Sequence, residues 1–240
     1  MTQTIAPGPG PVALVGSGEY LPVLEPVERA LLAGRPPRYV QLATAAAPEG
    51  PASLARWHAL GADAARRLGV EQVVVPVGDR DDAQEQANAE LIAGAGLVYL
   101  SGGNPPFLAA TLRDTAVWRA IQAAWQGGAA LAGCSAGAMA LTAHVPDIRH
   151  PMRGAEVGLS AVPHVRVLPH FDRFAGRLPD VVLTRVSNPP PGVTSVGVDE
   201  DTALVGGPVE WRVEGRQSVW VLTSGGRTEH PAGSTLVTPA

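Results

Sequence analysis

No lysine occurs in the 240-residue chain; all 18 basic residues are arginine. Lysine chemistry is therefore excluded: there can be no Schiff base, no phosphate-loop lysine and no serine–lysine dyad. A single cysteine, Cys134, cannot form an intramolecular disulfide, and no Cys/His cluster has zinc-ligand spacing, so neither a metal nor another cofactor is expected. No stretch approaches the roughly 20 apolar residues of a membrane span. The opening "MTQTIAPGPGPVALVG" lacks the charged start and long apolar run of a secretion signal. The net charge of −4 carries no long run of one sign, so there is no basic stripe for a nucleic acid or an anionic membrane. The expectation is a soluble cytoplasmic protein that takes a small molecule or peptide, with no nucleic acid and no membrane; a homodimer is left open.

What the chain does contain is an ordinary folded composition, 45% hydrophobic and 17% charged, at a length that suits one domain over 1–240. Few aromatics (5%), 28 glycines and 23 prolines point to many short elements joined by tight turns. Up to residue 142, apolar and β-branched runs alternate with helical segments. The strands are "VALVG" (12–16), "RYVQLAT" (38–44), "EQVVVPV" (71–77), "GLVYL" (96–100) and "GAALAG" (128–133); the helices fall in 51–69, 82–96 and within 105–128. That alternation predicts an α/β fold in three layers, a mostly parallel sheet with helices on both faces. After about residue 192, short runs separated by turn residues predict β-hairpins, an antiparallel extension of the same sheet. The segment 143–180 reads as active-site loops around one strand near "HVRVLPHF".

Chemistry is concentrated in "GCSAGA" (133–138), where an apolar strand turns sharply into a helix of small residues. In a G-x-S-x-G elbow the serine sits at the tip of a strained turn, and the flanking glycines are needed because strand and helix crowd each other. Ser135 is thus the candidate nucleophile, while Cys134, facing the other side of the strand, reads as buried filler. The new helix places its positive end beside the serine, and the Ala136 N–H is a candidate oxyanion donor. "SGGN" (101–104), at the end of a neighbouring strand, offers a second donor through Gly102 or Gly103, and Asn104 is placed to add a side-chain contact.

Six histidines compete for the role of base. His58 falls in an exposed helix, His230 in the terminal hairpins, and His144, His150 and His164 in loops. His170 follows the apolar strand "VRVL", at a strand end, where a parallel sheet puts its reactive groups. For the acid, "VGVDED" offers Asp199, Glu200 and Asp201, and "VPDIRH" offers Asp147. The opening "VALVGSGEYL" resembles a dinucleotide loop but has Leu21 in place of the third glycine, so it reads as the first strand's turn into the site.

Together "GCSAGAMAL", "YLSGGNPPFL", "LPHFDRFAGRL" and "GVDEDTALV" resemble the serine peptidases that include dipeptidase E and cyanophycinase. The resemblance implies a single-domain α/β fold related to class I glutamine amidotransferases, with Ser135 as nucleophile, His170 as base and "SGGN" as oxyanion loop. "GVDE" matches the cyanophycinase-like pattern and points to Glu200 as the acid, whereas a dipeptidase-E-like layout points to Asp147. A strand end after His170 favours Glu200. Cyanophycinases carry an acidic residue and a glutamine before the histidine, where this chain has Leu168 and Pro169; "PHF" is more similar to dipeptidase E, whose relatives favour an N-terminal aspartate. Arg173 is then the candidate for holding the substrate carboxylate, with Arg177 and Arg185 behind it. The expected activity is that of a serine peptidase on dipeptides with an N-terminal aspartate, with Gly103 and Ala136 as oxyanion donors. The alternatives are an esterase, amidase or cyanophycinase-like hydrolase with the same triad, or an amidotransferase-like binding protein without turnover.

Overall fold

The structure, a computed structural model, describes residues 8–146, 155–174 and 191–239. Strands β1 (Val12–Val15), β2 (Arg38–Leu42), β3 (Glu71–Val74), β4 (Leu97–Leu100) and β5 (Ala130–Cys134) form where the apolar runs predicted them. They pair in parallel in the order β1-β5-β4-β2-β3. The connections contain α1 (Glu25–Leu32), α2 (Pro51–Leu68), α3 (Arg80–Gln84), α4 (Gln86–Glu90), α5 (Pro105–Leu112) and α6 (Ala116–Gln126), and the short α7 (Ala136–Ala140) follows β5 directly.

Side chains of the parallel strands alternate between two cores. Val12, Leu14, Val40, Leu42, Val98, Leu100 and Leu131 pack toward α3–α7, while Ala13, Val15, Tyr39, Leu97, Tyr99, Ala132 and Cys134 pack toward α1 and α2. Strands buried on both faces are apolar at nearly every position, which is why β1, β4 and β5 read as continuous rather than alternating runs; the buried Gln41 of β2 is accommodated by donating to the Trp57 carbonyl at 2.8 Å. The α/β class and the helices on both faces follow directly.

Two helices differ from the sequence expectation. Segment 82–96 is not one helix: a capping box on Asp79 starts α3 at Arg80, and Glu85, in an extended conformation, separates it from α4. α1 was not anticipated at all, although Pro26 lies in its first turn and Glu25 pairs with Arg29 one turn on.

The later strands are β6 (His144–Pro146), β7 (Ala155–Val157), β8 (Val165–Pro169), β9 (Thr194–Val198), β10 (Thr202–Gly206), β11 (Glu210–Gly215), β12 (Ser218–Thr223), β13 (Gly226–Pro231) and β14 (Thr235–Val237), with α8 (Phe171–Phe174) after β8. Among the described residues β6 and β7 pair only with each other, as a separate two-stranded antiparallel sheet within the stretch expected as loops. Beyond residue 192 the pairing is mostly antiparallel, as expected, but the strands are divided between two sheets. β10, β11 and β14 extend the large sheet from β1, whereas β12 and β13 join β9, which runs parallel to β8. Hairpin patterning specifies a strand's faces and not which neighbour its backbone groups will meet, so this division left no trace in the sequence. No helix among the described residues is long and apolar enough to cross a membrane.

Beneath the α1–α2 side lie Tyr20, Tyr39 and Tyr99, with ring centroids 5.1 to 6.2 Å apart. Glu28 of α1, only 1% exposed, accepts from the Tyr20 N–H (3.3 Å) and the Tyr39 hydroxyl (3.2 Å). Burial pushes its carboxyl up to about 7, and these bonds and the charge of Arg67 offset that only partly. Since the folded pKa lies above the unfolded one, the stability linked to this proton is complete below about pH 4.5 and is lost as pH rises through about 7. Glu28→Gln, neutral at every pH, is expected to match the parent at pH 4 and to exceed it by an amount approaching about 3 kcal/mol at pH 8.5. Denaturant unfolding at both pH values measures this; an equal gap at both would assign the effect to packing.

Candidate active site

Every proposed functional group lies just past the carboxyl end of a parallel strand. Gly16–Glu19 follow β1, Ser101–Asn104 follow β4, Ser135 follows β5, His170 follows β8, and Asp199 and Glu200 follow β9. In open α/β sheets this is the edge where ligands bind.

Ser135 occupies the tip between β5 and α7 with φ 49° and ψ −107°, a conformation a residue with a side chain rarely adopts. Its neighbours explain why the turn is forced. A Cβ on Gly133 would lie 2.5 Å from the Gly137 carbonyl carbon, and one on Gly137 would lie 2.2 Å from the Leu100 oxygen. Strand, helix and adjacent strand therefore pack backbone against backbone, and the Ser135 N–H is tied to the Val15 carbonyl at 2.9 Å. Because α7 is only five residues long, the helix-dipole contribution expected from the sequence is small. What remains is the Ala136 N–H itself, at the first helical position, where no intrahelical acceptor exists.

His170 also has a positive φ, 52°, which swings its ring back over the strand ends. Phe171, 2% exposed, anchors this turn with its ring laid on Gly197 of β9, where a Cβ would come within 2.4 Å of it. His170 Nε2 lies 3.0 Å from Ser135 Oγ, and Nδ1 lies 3.0 Å from Glu200 Oε1. An ionised carboxylate only accepts, so Nδ1 carries the proton and Nε2 presents its lone pair to the serine hydroxyl. The hydrogen bond from His170, and after it the Arg173 guanidinium, hold the Glu200 carboxyl below the usual carboxylate range.

Arg173, expected at the substrate, donates Nε to Glu200 Oε2 at 3.0 Å. Asp172 accepts the Glu200 N–H at 2.9 Å, and Gln217 donates to the Glu200 carbonyl at 2.8 Å, so backbone and side chain of this residue are both held. The other acids of the tripeptide face elsewhere. Asp199 is buried and accepts from Trp220 Nε1 (3.0 Å) and the Ser218 N–H (3.2 Å); burial pushes its carboxyl up, and these bonds oppose the shift. Asp201, at φ 55°, meets Arg216 at 3.3 Å. Asp147, His150, Arg177 and Arg185 lie outside the described residues. Of the remaining histidines, His58 sits in α2, His144 in β6 and His230 in β13, and the buried His164 bonds the Pro208 carbonyl.

In the "SGGN" loop, the Gly102 N–H donates to Glu19 Oε1 at 3.0 Å and the Asn104 N–H donates to the Ala45 carbonyl at 2.7 Å. Gly103 lies between these two committed donors at φ 139°. Asn104 caps α5, its Oδ1 accepting the Phe107 N–H at 3.1 Å, so any substrate contact must come from its amide NH2. Cys134 is fully buried and donates its S–H to Glu19 Oε2 at 2.8 Å. Burial, and then the Glu19 carboxylate, push its thiol well up, which keeps it protonated and inert at neutral pH. Sequence reasoning missed Glu19, Asp172 and Gln217; Asp172 stood inside the quoted "HFDR", and Glu19 inside the "GSGEYL" that was read only as a turn. Among the described residues no group of three or more His, Cys, Asp and Glu could hold a metal ion.

The family model for Peptidase family S51 matches residues 55–207. The cyanophycinase of Synechococcus elongatus is 31% identical over 170 residues, covering 67% of this chain and 52% of that protein, and the cyanophycinase of Trichormus variabilis is 31% identical over 168 residues. The chain thus spans about half the length of the curated relatives it matches. Among solved structures, a peptidase from an acI-B1 Actinobacterium superposes with a TM-score of 0.89 at 38% identity over 97% of this chain and 98% of that one. A putative peptidase E protein from Listeria monocytogenes shares the fold, with a TM-score of 0.60 at 15% identity over 94% of this chain and 100% of that one. Together with the elbow and the convergence of strand ends upon it, the matched span of 55–207 means that the chain belongs to peptidase family S51, a family of serine-type hydrolases.

Proposed function

We propose that the chain hydrolyses short peptides through an acyl-enzyme on Ser135, with dipeptides carrying an N-terminal aspartate as its best substrates. The observation that carries this reading is the hydrogen-bonded series Ser135–His170–Glu200, with both links at 3.0 Å. His170 Nε2 takes the hydroxyl proton as Ser135 Oγ attacks the peptide carbonyl, and the oxyanion is received by the N–H groups of Gly103 and Ala136. His170 then hands its proton to the leaving amine as the C–N bond breaks. Water attacks the ester, giving its proton to His170, and the acid leaves as Ser135 regains its hydrogen. Glu200 keeps Nδ1 protonated and stabilises the imidazolium of each half-reaction. In this reading the Nη nitrogens of Arg173, on a side chain 63% exposed, form the fork offered to the aspartate carboxylate, while Nε steadies Glu200.

A second reading, hydrolysis of an aspartate–arginine polymer, is favoured by the 31% identity to cyanophycinases. Against it stand Leu168 and Pro169, in the place of the acidic residue and glutamine of those proteins. A panel of aspartyl and neutral dipeptides, esters and the polymer, read by mass spectrometry, tests both. Release of arginine-containing fragments from the polymer, with the aspartyl dipeptides untouched, would move the assignment to the second reading.

Five substitutions probe the mechanism, two of them as controls. Ser135→Ala should lower turnover by about four orders of magnitude or more, whereas Cys134→Ala should retain most of it; steady-state rates that survive in the serine variant would end the proposal. Glu200→Gln, which keeps shape but not charge, should lower kcat by about two to four orders of magnitude at nearly constant KM. Asp199→Asn serves as the control, because that carboxyl faces Trp220. Arg173→Ala should lower kcat for all substrates by loosening Glu200, and should in addition raise KM for an aspartyl dipeptide by about tenfold more than for a neutral one. Equal KM changes would confine Arg173 to holding Glu200.

A further inference from the structure

We propose that Glu19 is a positioning residue for the reaction, its buried carboxylate fixing the oxyanion loop against the nucleophile elbow; this rests on the reading of Ser135 as nucleophile and Gly103 as oxyanion donor. Glu19 is 6% exposed, at the turn after β1. Its two oxygens are used on two different strand ends: Oε1 accepts the Gly102 N–H from the end of β4 (3.0 Å), and Oε2 accepts the Cys134 S–H at the end of β5 (2.8 Å). Each donor is the immediate sequence neighbour of a proposed reacting group, Gly102 of Gly103 and Cys134 of Ser135.

The position of Gly102 matters directly to the chemistry. A Cβ there would lie 3.6 Å from Ser135 Cβ and 3.0 Å from Glu19 Oε1, so the loop backbone lies against both. The peptide carrying the Gly103 N–H is pinned on one side by Glu19 and on the other by the bond from the Asn104 N–H to Ala45. Gly103 itself cannot carry a side chain to lock it, since a Cβ would come within 2.3 Å of the Ala45 oxygen. The loop is therefore held through its backbone donors, and Glu19 ties one of them, the Gly102 N–H, to the strand that ends at Ser135. Oxyanion stabilisation falls steeply when a donor is misplaced, because the donor must meet charge that exists only in the transition state. The bond to the Gly102 N–H does not depend on the Cys134 thiol, so Glu19 still holds the loop when that thiol is removed.

The test is the second-order rate at which a fluorophosphonate labels Ser135, with kcat and KM measured on whichever dipeptide of the panel is turned over. Glu19→Ala is expected to slow labelling and kcat by about 10- to 100-fold. KM should stay within about threefold, as expected when a contact made only in the transition state is lost. Glu19→Gln, which keeps a carbonyl oxygen for the Gly102 N–H, should recover to within about fivefold of the parent rate; a merely structural role predicts no such split and no such rescue. If Glu19→Ala does not fold, Glu19→Asp, one methylene too short to reach both donors, is measured in its place. Unchanged labelling in a folded Glu19→Ala or Glu19→Asp protein, or losses in Glu19→Gln as large as in Glu19→Ala, would overturn the inference. Failure of the underlying reading has a different signature, a parent protein that does not label or that labels equally well as Ser135→Ala.

Discussion

The contact on which the site depends is the backbone-to-backbone approach of β5, α7 and β4 at the elbow. With 2.5 Å or less between a would-be Cβ at Gly133 or Gly137 and the next backbone, no other residue fits either place without prising the helix from the sheet. That closeness forces Ser135 to a φ of 49°, a strain on the order of 1–3 kcal/mol. It is offset by the burial of every residue from Ala136 to Leu141 in the core beneath. Strain and packing are two sides of one arrangement: the small residues that let α7 sit deep also lift the serine hydroxyl clear of it.

The partners of Ser135 come from the other sheet. β8 and β9 run in parallel with Pro169 opposite Val198, so the residues that follow them leave the sheet side by side. β9 then crosses, through Asp199–Asp201, into β10, which pairs with β1 of the large sheet. The crossover carries Glu200 to His170 and lays both beside the elbow. Three consecutive acids thereby take three directions: Asp199 into the small sheet under Trp220, Glu200 to the imidazole, and Asp201, with its positive φ, to Arg216. Side-chain identity contributes little to that division of labour, which backbone course decides.

The same contrast separates what the sequence made legible from what it hid. The central strands β1, β4 and β5 were readable because burial on both faces demands unbroken apolar runs, and the elbow because crowding demands glycine on both sides of the serine. The strand-end placement of His170 was readable too, from the apolar run before it. Glu19 was not: its contacts span 83 and 115 residues of chain, and no local period records a contact at that range. The break after Gln84 lay beyond pattern for a different reason, since helical composition continues across Glu85 while its backbone does not. For Asn104 and Arg173 the residues stood out and their contacts did not: one caps α5 and the other braces Glu200, uses that a motif match cannot distinguish from contact with a substrate.

Why a serine and not the adjacent cysteine is the proposed nucleophile follows from place. Cys134 still belongs to the strand, so the alternation of the sheet turns it toward the tyrosine side, where burial and a carboxylate keep the thiol protonated. One residue later the chain has left the strand, and the alternation no longer applies. A serine there is neutral at physiological pH and needs a base within hydrogen-bonding distance, which in turn needs an acceptor for its second nitrogen. Carboxylates consequently stand on two sides of Ser135: Glu200 behind the imidazole and Glu19 behind the proposed oxyanion loop. Glu19 is met by the Gly102 N–H and the Cys134 thiol, and Glu200 by the His170 imidazole and the Arg173 guanidinium, donors that hold a fixed direction better than a flexible ammonium does. A site stabilised in this way has no need of lysine, and the chain contains none.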